Sequence, residues 1–298
     1  GAALGSMTQA LLYKGIRRVK REGTKERRRT MMGLDATRYA SKDRVGLAPL
    51  DETIWKSIRA KNMGDNRLRV FLWKIVHDAL GCGSFWENIE KYKERAKCPT
   101  CDITETAEHT LTECPSSGQK VVWNLVQRVF EKKGIDWKRP TPGSIASCGA
   151  RSIVNPRTGK PRTGASRLYT ILVSQSAYLI WKLRCEWRIG KQGEKDGVPT
   201  DKEVHNRWVA MVNRIIKLDA LAAMRKPKGK EKRTGPCPVL FANTWQGVLL
   251  DEEVIPEIVN GKLRGVSGVL VGISPLVQEG RTRRVPHYRA KPSSRRCA

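Results

Sequence analysis

Acidic residues are what this chain most lacks. Its 29 Asp+Glu stand against 57 Lys+Arg, leaving +28 at pH 7 and an isoelectric point near 10.2 over 298 residues. No Asp-Asp dipeptide occurs, so the paired carboxylates with which a polymerase holds two magnesium ions are missing. The one acidic cluster, Asp251-Glu252-Glu253, reads as a complement to a helix dipole rather than a nuclease centre. There is no phosphate-cradling Walker loop, no G-x-S-x-G, and no H-x-E ahead of P-C-x-x-C as a zinc deaminase requires. His77, His205 and His287 have no partner by spacing. The expectation is a chain that is not an enzyme. Long apolar runs are absent too, as is a secretory leader, so no membrane association is expected. Met first appears at position 7, so the chain reads as a fragment of a longer product or as carrying a cloning scar before it.

The positive charge is concentrated. Residues 14–29 carry +7, residues 225–233 carry +5 and residues 281–296 carry +7, so most of the excess lies on arms and a linker. Such a balance predicts a polyanionic partner, RNA or DNA, gripped through its phosphates. Arg17, Arg18, Lys20, Arg21, Arg27, Arg28 and Arg29 are the candidate contacts on the first arm.

Eight cysteines are present, and three of them fall in one short stretch, KCPTCDITETAEHTLTECP. Cys98, Cys101, His109 and Cys114 form a C-x2-C-x7-H-x4-C array, a donor set suited to one tetrahedral zinc ion. Three thiolates against Zn²⁺ leave one net negative charge, which basic surroundings tolerate. All four positions are filled by protein, so no bound water is left to activate and the site is structural. Pro99 and Thr100 favour a tight turn between the first ligands, and residues 104–108 open a helical turn that carries His109. The alternative is a polar loop with incidental thiols, which would leave three reactive cysteines side by side. The other cysteines have no disulfide-framework spacing, which points to a reducing compartment: the nucleus, or else the cytoplasm.

Around this loop the pattern is helical. Asp51 is a candidate N-cap, and Leu68, Phe71, Leu72, Ile75, Val76 and Ala79 mark one face of an amphipathic helix ended by Gly81 and Gly83. Phe85, Trp86 and Ile89 begin a short helix leading into the loop, and Trp86, Tyr92 and Arg95 are candidates for stacking on unpaired bases. Val122, Leu125, Val126, Val129 and Phe130 form a further helix stopped at Gly134. Beyond come a broad apolar helix over 166–189 and a second over 201–224, capped by Thr200 or Asp201, with a stripe of Val204, Trp208, Met211, Val212, Ile215 and Leu218. Their aromatics read as core.

The predicted fold is mainly α: a zinc-stapled helical domain at 50–134, then a helical hairpin at 166–224. Flanking these are a basic N-terminal arm (1–48), a linker (135–165), a basic linker (225–238), a small apolar tail segment (239–273) and a basic disordered tail (274–298). Within the apolar segment, Val239-Leu240-Phe241 and residues 265–273 read either as short strands or as a docking tail.

Four stretches carry a family resemblance: DETIWKSIRAKNMGDNRLRVFLWKIVHDAL (51–80), CPTCDITETAEHTLTEC (98–114), SAYLIWKLRCEWR (176–188) and GVLVGI (268–273). They resemble the region downstream of the reverse transcriptase and RNase H domains in fungal non-LTR, LINE-like retrotransposon polyproteins. The array also resembles the Cys-rich terminal region of animal LINE polyproteins, although its first spacing is x2 rather than x3. The resemblance implies zinc ligation by Cys98, Cys101, His109 and Cys114, and a role in gripping template RNA or target DNA. Reverse transcriptase and RNase H would lie upstream and are not carried over. Other domains of such a polyprotein are the further expected partners, and a zinc-stapled protein-interaction scaffold is the alternative function.

Overall fold

The computed structural model describes residues 5, 7–25, 27–60, 64–226 and 235–276. It is mainly helical, with no β-strand among the described residues and three isolated bridges. The expected tail beyond residue 276 and most of the second basic linker, 227–234, lie outside the described residues.

Eleven α-helices are described. α1 (Gln9–Glu22) carries the start of the first basic run, and its residues 9–20 and Glu22 are exposed. α2 (Arg28–Val45) behaves differently, although residues 1–48 read as one arm: Leu34, Thr37 and Ser41 are buried. Its Gly33 lies so close to α4 (Asn66–Val76) that a Cβ there would sit 1.9 Å from the carbonyl oxygen of Val76. No side chain fits that crossing.

α3 (Asp51–Ile58) starts one residue earlier than an Asp51 cap predicts. Leu50 holds the cap position and Asp51 is the first helical residue, its carboxylate 3.2 Å from Arg38 of α2. α4 is capped by Asp65, whose side chain accepts from Leu68 N at 2.9 Å. It ends at Val76, short of the glycines, and Ala79 is exposed. After α5 (Ser84–Glu87), α6 (Gln119–Lys133) ends on Gly134 in the left-handed region at φ 62°, as its sequence predicts.

The 135–165 stretch, read as a linker, contributes to the interior. α7 (Pro142–Ala146) buries Ile145 and Ala146, and Cys148 follows it into the core. A run of small residues shows little hydrophobic periodicity, yet it packs closely: α7 lies against α2, α4 and α8.

α8 (Thr163–Cys185) is the central helix, flanked by α4, α6, α7 and α10. It continues into a wider π turn at Glu186–Gly190 that buries Trp187. α9 (Asp201–Met224) is capped by Thr200 and buries Val204, Trp208, Val209, Val212, Ile216 and Ala220. The expected stripe is therefore rotated: Met211 and Ile215 are half-buried and Leu218 is 56% exposed. The rotation has a cause. α9 seats on α6, α10 and α11 as well as α8, and it meets α8 through Trp208 Nε1 donating to Ser176 Oγ at 2.8 Å.

Val239-Leu240-Phe241 is neither strand nor loose tail. It lies in α10 (Pro238–Trp245), started by the Cys237 cap and Pro238. Glu252 folds the next turn back by accepting from Gly247 N and Leu249 N, which gives the acidic cluster a loop-anchoring role just ahead of α11 (Val254–Val259). The 265–273 stretch closes against the helices through one bridge, Leu249 to Val271, and through Asn213 Oδ1 accepting from Val271 N at 2.7 Å. A single hydrophobic cluster runs from Leu34 to Ile273.

Candidate metal centre and the surface around it

The chain reverses tightly after Cys98. Its carbonyl accepts from Asp102 N at 2.8 Å and its N–H donates to Ile103 O at 2.8 Å, which places Cys101 at the tip of the turn. Glu105 N then bonds to Ala96 O at 2.8 Å, and Thr106 Oγ1 accepts from His109 N at 2.9 Å to open the turn that carries the imidazole. A π turn over His109–Glu113 delivers Cys114, whose N–H donates to His109 O at 2.7 Å. The loop is stitched across by Ser116 Oγ to Thr100 Oγ1 at 2.8 Å and pinned to α6 by Trp123 Nε1 donating to Leu111 O at 2.8 Å.

This path gathers Cys98, Cys101, His109 and Cys114 with one donor atom each, all within 4.8 Å of one another. Cys98, His109 and Cys114 are buried and Cys101 is half-buried. Cys98 Sγ and Cys114 Sγ are 3.8 Å apart. That is too far for a disulfide, and it matches the edge of about 3.8 Å expected of a tetrahedron with metal–sulfur bonds near 2.3 Å. Both ring nitrogens of His109 are buried without a hydrogen-bond partner, and Nδ1 stands 3.6 Å from a Glu113 carboxylate oxygen. A buried imidazole left with neither donor nor acceptor satisfied is costly, and a metal bond to one ring nitrogen relieves part of that cost. The four residues thus fit a metal ion.

Their electrostatics agree. The Cys98 thiol is drawn far below its ordinary value, first by the hydrogen bond from Cys114, then by His109 and the Cys101 and Thr100 backbone N–H groups acting against burial. Cys114 is pushed up, as the partner that keeps the proton. The packing cysteines contrast with them: burial raises Cys82 and Cys148 to about 12, so they remain inert thiols.

Sequence reading missed what locks the loop to the core. Glu105, between the second and third donors, forms a two-pronged ion pair with Arg184 near the end of α8; Arg184 Nε donates to Glu105 Oε1 at 3.0 Å and Nη2 to Oε2. Both side chains are 1% exposed. Gly83 makes room for this, since with φ +52° a Cβ there would lie 2.2 Å from Glu105 O. One helical turn on, Arg188 Nη2 donates to Glu94 O at 2.6 Å and Lys97 O at 3.2 Å. Two arginines on successive turns of one helix are the only sequence signal for this clamp.

Of the residues proposed to meet nucleic acid, Trp86, Tyr92 and Arg95 come together. The Arg95 guanidinium lies 4.2 Å from the Tyr92 ring centre and 5.3 Å from that of Trp86, covering one face of each. Trp86 is further held by Nε1 donating to Gly81 O at 2.8 Å. Arg17, Arg18, Lys20 and Arg21 lie on α1, and Arg28 and Arg29 open α2. Arg27 precedes α2 and stands near His77, whose pKa burial lowers, with the charge of Arg27 adding to it. His77 stacks on Trp55 at 5.3 Å and lies tilted against Trp73 at 4.0 Å, and its Nδ1 pairs with Thr30 Oγ1 at 2.8 Å. Trp73, 44% exposed, is a second aromatic surface that sequence reading did not single out. Its signal was an aromatic on the face of α4 opposite Phe71 and Leu72. His205 is held by the Ser274 carbonyl at 2.9 Å, and His287 lies outside the described residues.

No protein-family model, curated protein or solved structure matches the chain. No helix among the described residues is long and apolar enough to cross a membrane.

Proposed function

We propose that this chain is a zinc-stabilised nucleic-acid-binding region of a retroelement polyprotein, without catalytic residues of its own and acting in the nucleus. The observation that carries the reading is a closed donor set beside an arginine–aromatic cluster, on a chain of net charge +28. Three sulfurs and one imidazole favour zinc over harder cations, and filling every position with protein favours a structural ion. Zinc fixes the loop. Arg95, Trp86 and Tyr92 then offer guanidinium and ring faces to unpaired bases, while Arg17, Arg18, Lys20, Arg21, Arg27, Arg28 and Arg29 neutralise phosphates and release counterions. The family resemblance of the loop and its flanks supports the retroelement origin.

The test is a titration of labelled single-stranded RNA and DNA against salt. The expected affinity falls steeply, with a log–log slope near −0.7 for each phosphate neutralised. A flat response would favour the second reading, a protein-interaction scaffold for other polyprotein domains. One observation speaks for that alternative: Leu12, Ile16 and Val19 form an apolar stripe along α1 that is exposed to solvent.

A further inference from the structure

α8 and α9 meet at Trp208 and Ser176, and elsewhere a groove of about 870 Å³ opens between them, bounded at its ends by the starts of α4 and α10. That size is in the range of ligand sites rather than packing defects. Its walls are apolar, made by Ile171, Tyr178, Met211, Ile215, Leu218 and Leu240. The rotation of α9 noted above points Met211, Ile215 and Leu218 into this space instead of the core.

The polar groups of the groove sort clearly. Arg167 is committed, with both terminal nitrogens on Asp219 at 2.6 and 2.9 Å. Asp65 is committed to capping α4. Arg67 and Arg214 make no hydrogen bond or ion pair with any described residue, and Lys182 lies 5.5 Å over the Tyr178 ring. Three cations at the rim therefore outnumber the acids free to answer them. Half-buried Gln175 adds an amide to the wall, with no hydrogen-bond partner among the described residues.

We infer that this groove seats one unpaired nucleotide of a single strand, with its base against Tyr178, Met211 and Ile215 and its phosphate on Arg67, Lys182 and Arg214. A fatty acid would use the apolar walls and set its one carboxylate on a cation, but would leave the Gln175 amide unused. A base uses all of them: Gln175 supplies both a donor and an acceptor to a base edge, and the guanidinium and ammonium groups suit phosphate. The inference rests on the nucleic-acid reading but locates a contact away from the arms and the metal loop.

The test uses the full chain and a 12-nucleotide RNA containing 4-thiouridine, cross-linked by light and mapped by peptide mass spectrometry. The expected adducts fall on peptides bearing Tyr178 or Met211. The Lys182→Glu/Arg214→Glu variant, with circular dichroism to check its helices, is expected to lose those adducts and about tenfold in affinity at low salt, because two phosphate-facing charges are reversed. A variant with Arg17, Arg18 and Lys20 all changed to Ala is expected to keep the adducts while its salt slope falls. Adducts confined to residues 7–29 or 84–97, or unchanged affinity in the double reversal, would overturn the groove and leave the broader reading standing. RNA that fails to bind the wild-type chain even at low salt would overturn both.

Discussion

The metal loop and the α8–α10 region are built on opposite plans. Around α8 the helices bury whole faces, so position is over-determined by many apolar contacts. From Ser84 to Cys114 the chain buries few apolar side chains and leaves Phe85 and Ile103 about half-exposed. Its shape is held by four donor atoms, one buried ion pair and a handful of backbone hydrogen bonds. A short loop cannot bury enough apolar surface to offset its own conformational entropy, so point-like polar interactions take over. The difference predicts that single substitutions in the loop act locally and severely, whereas the helical region absorbs them.

The largest effect falls on the donors. Cys98→Ser or Cys114→Ser is expected to abolish stoichiometric zinc in native mass spectrometry. Hydrogen exchange should then lose protection across residues 97–118 while α8 and α9 keep theirs. Structural zinc is worth on the order of 10–16 kcal/mol of apparent binding energy in small modules, so no other contact in the loop substitutes for it. One zinc per chain retained in both variants would break the comparison, because the loop would then stand without its donors.

Next comes the joint between the two regions. Glu105→Ala strands the Arg184 guanidinium in the interior, where Nη1 already lacks a hydrogen-bond partner. Losing one member of a buried pair costs about 3–5 kcal/mol, read as a shift in urea midpoint. Glu105→Leu combined with Arg184→Met is expected to recover most of that stability, since no buried charge remains. A Glu105→Ala shift below about 1 kcal/mol would mean the loop hangs on its metal alone.

The sequence is legible where the determinants are local. Four candidate metal donors within one short segment, Thr200 ahead of α9 and Gly134 behind α6 all sit close in sequence to what they shape. The Glu105–Arg184 pair spans 79 positions, and no periodicity links its members. α7 escapes for another reason: small residues pack well without a hydrophobic signature. The Val239-Leu240-Phe241 run is too short for periodicity to separate helix from strand, and Cys237 with Pro238 decides it in space. The face of α9 is misjudged because its moderately apolar residues line a groove, and only the arrangement of α6, α10 and α11 reveals which stripe they cover.

The smallest effect sharpens the comparison by pH. Glu186, in the turn that carries Arg188 to the loop, accepts from Arg207 of α9 at 2.6 and 2.8 Å. Those hydrogen bonds hold the Glu186 carboxyl below its usual value, with the charge of Arg207 adding to them against burial. A depressed carboxylate contributes stability above its unfolded value, near 4.5, and loses it as pH falls through the lower folded value. Arg207→Ala is therefore expected to destabilise the chain at pH 7 by at most about 1 kcal/mol, because both partners are partly exposed. The difference from wild type should shrink as the carboxylate protonates in acid. Thermal denaturation of the two proteins at pH 7 and pH 3 reads this directly. A gap that persists at pH 3 would assign the role of Arg207 to packing of its aliphatic stem, and the contact between turn and helix would then be apolar like the rest of the α8–α10 region.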